Sequence, residues 1–143
     1  MALLTLTVLS EVRFTNISIN NNTTNVTVTG NILGGALGTL CVVDVQYKFV
    51  KKLTSIEGYT FGAPKVGSNG FSKPYNEQIP KSYRFVHGMD IVSALPRWWQ
   101  GYSHVDKELQ IGSRFRLNVI SARFKDHGLD GYIRLLKELS IKD

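Results

Sequence analysis

At 143 residues the chain is the size of one domain, and its 43% apolar and 20% charged content is that of a globular protein able to bury a core. A net charge of +6 favours acidic surroundings, but the cations are scattered rather than gathered in a tract, which argues against nucleic acid. A single cysteine, Cys41, excludes an internal disulfide; the three distant histidines, His87, His104 and His127, offer no zinc-type spacing; and no run reaches the ~18–20 apolar residues of a membrane span.

In chain order, Met1 to Ser10 is apolar without a basic leader and reads poorly as a secretion signal. The acceptor-type triplets at Asn16, Asn21, Asn22 and Asn25 are therefore taken as incidental. Leu3–Leu9 and Val12–Ile19 are short β-prone runs, Asn20–Asn25 is a loop, and Val26–Thr29 is a strand. Gly34 to about Val50 is a helix, with Cys41 as a small apolar residue on it and Lys51-Lys52 at its C-terminal end. Ile56–Phe61 is a strand stopped by Gly62-Ala63-Pro64; Asn69–Gln78 is a short helix; Tyr83–His87 is a strand closed by Gly88-Met89-Asp90. An aromatic loop, Arg97–Tyr102, precedes late strands at Lys107–Ile111 and Phe115–Val119, and Leu129–Leu139 is a terminal amphipathic helix. Strands alternating with helices predict an α/β fold around a mostly parallel sheet, with function at the carboxyl ends of its strands.

The segment Gly30-Asn31-Ile32-Leu33-Gly34, between a strand and a helix, has the setting of a nucleophile elbow, Gly-x-Ser-x-Gly. Both glycines are present, and Ile32 stands where the serine would be. Isoleucine has no nucleophilic atom and no proton for a base to take. Triads of this type run Ser…Asp/Glu…His along the chain, and here the order is Ile32…Asp90…His127. By themselves Asp90 could equally be a turn residue and Asp126-His127 a helix cap.

Five blocks in order carry a resemblance to the class 3 lipase family. Val28–Gly38 is similar to the family's elbow, Val-Thr-Gly-His-Ser-Leu-Gly-Gly-Ala-Leu-Ala, and Tyr59–Gly67 to its Thr-Phe-Gly-x-Pro-Arg-Val-Gly block. Arg84–Pro96 resembles the segment carrying the catalytic aspartate. Gly101-Tyr102-Ser103-His104-Val105 with Glu108 resembles the block after it. Asp126-His127 with Tyr132 resembles the segment carrying the catalytic histidine. The resemblance implies an α/β-hydrolase core over 25–143, preceded by a non-family segment over 1–24. It places Asp90 and His127 at the triad's acid and base positions, and it implies ester hydrolysis of acylglycerol-type lipids without metal or cofactor.

The chain departs from the family at Ile32 for serine, at Asn31 for the preceding histidine, and in having only 29 residues before Gly30, so that the family's amino-terminal half is expected to be missing. An elbow residue is held at positive φ, where a β-branched side chain is strained. Ile32 is therefore expected to be held there by packing and to fill the former catalytic pocket. The reading that follows is an inactive lipase-like domain serving as a structural or interaction subunit. A protein partner would cover its exposed sheet edge, with a lipid or membrane surface as a further partner and the Trp98-Trp99 loop as a contact patch. The alternatives are an ester hydrolase with an unconventional nucleophile, drawn from Ser18, Thr29, Thr39, Cys41 or Ser93, and a lipid-binding module that does not hydrolyse.

Overall fold

The computed structural model describes residues 2–8, 23–88, 90, 92–96, 98–112 and 129–140. Five strands form one parallel sheet in the order β1-β2-β3-β5-β7: Ala2–Val8, Thr23–Asn31, Ser55–Phe61, Ser82–His87 and Lys107–Ile111. Helix α1 (Leu33–Phe49) connects β2 to β3, and α2 (Asn69–Gln78) lies between β3 and β5. Two two-residue strands, β4 (Gly67–Ser68) and β6 (Tyr102–Ser103), pair antiparallel beside it. Helix α3 (Leu129–Ser140) ends the described chain.

Period-two patterning sets the two faces of the sheet. In β2, Val26 and Val28 are buried while Thr27 and Thr29 are half-buried, and β3 buries Ile56, Gly58 and Thr60 on the same side. Val26, Val28 and Ile56 form the core with Val42 and Val45 of α1, Tyr75 of α2, and Ile79 and Val105. Each such fully buried aliphatic side chain contributes about 1.5–3 kcal/mol. Small residues let α1 lie close on the sheet: a Cβ on Gly35 would come 2.7 Å from the Ala63 Cβ. On the opposite face Tyr59 stacks on Tyr83 and Phe61 on Phe85, with ring centroids 5.6 and 5.0 Å apart.

The expected α/β fold is present, and the strand expected at Leu3–Leu9 forms β1 beside β2. β2 begins at Thr23, inside the expected Asn20–Asn25 loop, because its first residues pair with β1 and β3: Thr23 with Ala2, and Asn25 with Leu3 and Ser55. The runs Val12–Ile19 and Phe115–Val119, and His127, lie outside the described residues.

Candidate active site

The carboxyl ends of β2, β3 and β5 build the site. β2 ends at Asn31, and the chain turns through Ile32 directly into α1. Ile32 takes φ 53° and ψ −122°, the positive-φ backbone in which the elbow reading places it, at a cost of about 1–3 kcal/mol for a non-glycine residue. Its N–H donates to the Phe61 carbonyl at 2.8 Å, and its own carbonyl accepts from Gly35 N–H at 3.0 Å. The corner is thus tied to β3 on one side and to the first turn of α1 on the other. The Ile32 side chain is half-buried.

The first flanking glycine has a steric reason to be there. A Cβ on Gly30 would lie 2.2 Å from the Gly34 carbonyl oxygen, a backbone atom that cannot swing aside. The turn closes only when β2 meets the first turn of α1 through bare backbone at residue 30, so Gly30 is demanded by the corner whatever side chain stands at its tip.

Phe61, which receives the Ile32 N–H, is followed by Gly62 at φ 59°. A Cβ on Gly62 would stand 2.6 Å from Asp90 Oδ2 and 2.9 Å from the Tyr132 hydroxyl. Asp90 therefore lies one strand-end away from the elbow, past β5. It is buried, with 4% of its surface exposed. Its Oδ2 accepts from the Tyr132 hydroxyl at 2.7 Å and its Oδ1 from Val92 N–H at 2.9 Å. Its backbone is held as well: Asp90 N–H donates to His87 O at 3.0 Å, and Ser93 Oγ donates to Asp90 O at 2.8 Å. The Tyr132 hydroxyl also accepts from His87 N–H at 3.0 Å. Burial, and the hydrogen bond to Asp90, push the phenol well above its usual range, so Tyr132 is a neutral donor.

Lys65 fixes the loop beyond Asp90. Its Nζ donates to Ala94 O at 2.8 Å and to Pro96 O at 2.9 Å, while its N–H donates to Leu95 O at 2.7 Å. His104 closes the other side: its Nε2 is 2.6 Å from Ser93 O, a carbonyl, so the ring nitrogen is the donor. Burial first, then the nearby Arg84 guanidinium, depress His104 to about 4, which keeps it neutral at physiological pH. Past this loop, Trp99 and Tyr102 are exposed.

Ile32 and Asp90 are thus brought to one edge of the sheet, while His127 lies outside the described residues. The helix that begins two residues after His127 is the one whose Tyr132 grips Asp90. Three of the side chains offered as substitute nucleophiles, Thr39, Ser93 and Cys41, are poorly placed for the role. Thr39 Oγ1 donates to Gly35 O and Ser93 Oγ to Asp90 O. Burial, then the Asp44 charge, raise the Cys41 thiol and hold it protonated. No group of three His, Cys, Asp or Glu side chains able to hold a metal ion occurs among the described residues, and none of their helices is long and apolar enough to cross a membrane.

Sequence reasoning missed the roles of Lys65 and His104, although both stand in the quoted blocks. It named Tyr132 within the block after Asp126-His127, and the pairing of its hydroxyl with Asp90 spans 42 residues. The block around Gly62 carried the only signal, a glycine where the Asp90–Tyr132 contact needs room.

A parallel sheet with a strained strand-to-helix corner after β2 and a buried acid after β5 defines an α/β-hydrolase-type domain. The chain belongs to the class 3 lipase family: the family model described as Lipase (class 3) matches residues 7–99. A lipase of Caenorhabditis elegans is 42% identical over 72 residues, covering 50% of this chain and 20% of that protein. Phospholipase A1-II 5 of Oryza sativa subsp. japonica is 32% identical over 100 residues, covering 66% of this chain and 22% of that protein. The chain thus spans about a fifth of the length of these relatives. Among solved structures, the Rhizomucor miehei lipase propeptide complex superposes with a TM-score of 0.57 at 36% identity, covering 61% of this chain and 28% of that one. A triacylglycerol lipase whose catalytic centre is a serine protease triad superposes with a TM-score of 0.58 at 34% identity, covering 62% of this chain and 34% of that one.

Proposed function

We propose that this chain is a catalytically silent member of the class 3 lipase family, used as a structural or interaction module, in which Asp90 and His127 are the remnants of a triad's acid and base. The observation that carries this reading is Ile32. It occupies the strained corner at φ 53° and ψ −122°, where a nucleophile elbow presents its serine, with a side chain that cannot attack an ester. Loss of a triad nucleophile costs on the order of a million-fold in turnover. The orientation of Thr39 and Ser93 toward backbone carbonyls and the raised Cys41 thiol support the same reading, since they count against three of the candidate substitutes.

The module reading also rests on β1 and β7, the strands at the two ends of the described sheet. Among the described residues each pairs on one side alone; a strand edge of that kind favours pairing with another chain, so a protein partner over one of them is expected. The test is labelling of the purified chain with a fluorophosphonate, alongside hydrolysis of short- and long-chain esters and the native mass in an extract of its source. The expected result is no labelling, no turnover and migration above the free chain's 16.0 kDa mass. Stoichiometric labelling with turnover would overturn the silent reading, and migration as a free chain would overturn the partnered one.

A further inference from the structure

Helix α1 carries large apolar side chains on both sides. Its inner face packs on the sheet through Gly34, Gly35, Gly38, Val42 and Val45. On the outer face Leu33, Leu37, Leu40, Asp44 and Tyr47 recur at alternating spacings of four and three, which places them in one stripe along the whole helix. Leu33 is 52% exposed, Leu40 47% and Tyr47 85%. A helix with only one buried side ordinarily turns charged residues to the other. Here that side carries exposed Leu33, Leu40 and Tyr47 and half-buried Leu37, with Asp44 the one acid among them, and the Asp90 cluster does not use it.

The charges around the stripe select its occupant. Asp44 is matched by Lys48 at 2.8 Å, so the stripe carries no net negative charge. Lys51 and Lys52, both exposed, follow at the C-terminal end of the helix. A second copy of the chain fits poorly. Two 17-residue helices laid together bury far less than the roughly 800 Å² per partner of a stable interface, and two chains of net charge +6 repel. An anionic bilayer surface needs no such self-complementarity. Leucines enter the boundary between headgroups and acyl chains, tyrosine favours the water boundary, and lysines lie against anionic headgroups.

We propose that the outer face of α1 docks on an anionic phospholipid surface, with Leu33 and Leu40 entering it, Tyr47 at the water boundary, and Lys51 and Lys52 on the headgroups. The contact runs along the side of α1 away from the sheet and does not use Asp90. It therefore stands whether or not the chain hydrolyses esters.

The experiment is co-sedimentation of the full chain with vesicles of phosphatidylcholine, with and without phosphatidylserine. It is repeated for Leu40→Glu/Tyr47→Glu, for the milder Leu40→Ser/Tyr47→Ser, and for Lys51→Gln/Lys52→Gln, with circular dichroism confirming the fold. Expected are binding to the phosphatidylserine vesicles, at least ~10-fold weaker binding to phosphatidylcholine alone, and a loss of ~10-fold or more in both Leu40/Tyr47 variants. The proposal falls if neither vesicle binds the chain, or if the Leu40/Tyr47 variants bind as the parent does. It falls also if sedimentation velocity shows a dimer that Leu40→Glu dissociates without any vesicle binding, or if vesicles bind only when a helical protein partner is added.

Discussion

The Tyr132 hydroxyl donates to Asp90 Oδ2 at 2.7 Å while accepting from the His87 backbone N–H at 3.0 Å. One phenol oxygen thereby ties α3 to both the end of β5 and the buried acid beyond it. Tyr132 itself is fully buried, and its ring meets His87 and Phe61 edge-on, with centroids 5.5 and 6.2 Å away.

Tyr132→Phe keeps the ring packing and removes both hydrogen bonds. The His87 N–H loses its hydroxyl acceptor in a buried setting, and Asp90 loses one donor. The expected cost is about 1–3 kcal/mol, read as a lower urea midpoint with an unchanged slope. An unchanged midpoint would mean that water replaces the hydroxyl without loss.

Gly62→Ala attacks the same cluster from β3. The new methyl would sit 2.6 Å from Asp90 Oδ2 on a backbone at φ 59°. The left-handed backbone alone costs alanine about 1–3 kcal/mol, and displacement of the Asp90–Tyr132 pair adds to it. Because both substitutions break one contact, Gly62→Ala combined with Tyr132→Phe should cost less than the sum of the two. Strict additivity in a double-mutant cycle would show that Gly62 acts independently of that pair.

Ile32→Gly is expected to be nearly neutral, within about 1 kcal/mol, because release of about 1–3 kcal/mol of backbone strain offsets the lost packing of a half-buried side chain and the added chain entropy. Ile56→Gly, on a regular strand with only 7% of its surface exposed, has no strain to release and should cost well over 3 kcal/mol. Comparison of the two melting midpoints checks this. Equal losses would mean that the corner is not strained by its side chain.

Stability should fall on acidification in the window set by His104. The ring is depressed from 6.5 to about 4 in the folded chain by burial and then by Arg84. Between those values the unfolded state binds the extra proton, so the free energy of unfolding rises with pH there. The contribution is complete above about 6.5 and is lost as pH falls toward about 4. Urea titrations at pH 7 and pH 5 should show a drop that His104→Gln reduces. An equal drop in the variant would assign it to other groups.

Much of this protein was legible from local pattern. The Thr-Val alternation marked β2, the bounds expected for α2 and β7 match Asn69–Gln78 and Lys107–Ile111, and the two glycines around Ile32 marked the corner. Each of these signals lies within a few residues of chain, where sterics and hydrophobic period act directly. What sequence alone missed was long-range. Thr23–Asn25 follows a run of asparagines and reads as a loop, yet pairing with β1 and β3 makes it strand. The helix from Gly34 to about Val50 was legible as a helix, and only the packed structure shows that Leu33, Leu40 and Tyr47 stay exposed on α1. Likewise Asp90 could be named from the order of residues, but its hold by Tyr132, and the room that Gly62 leaves for that hold, depend on contacts that only the folded sheet brings together.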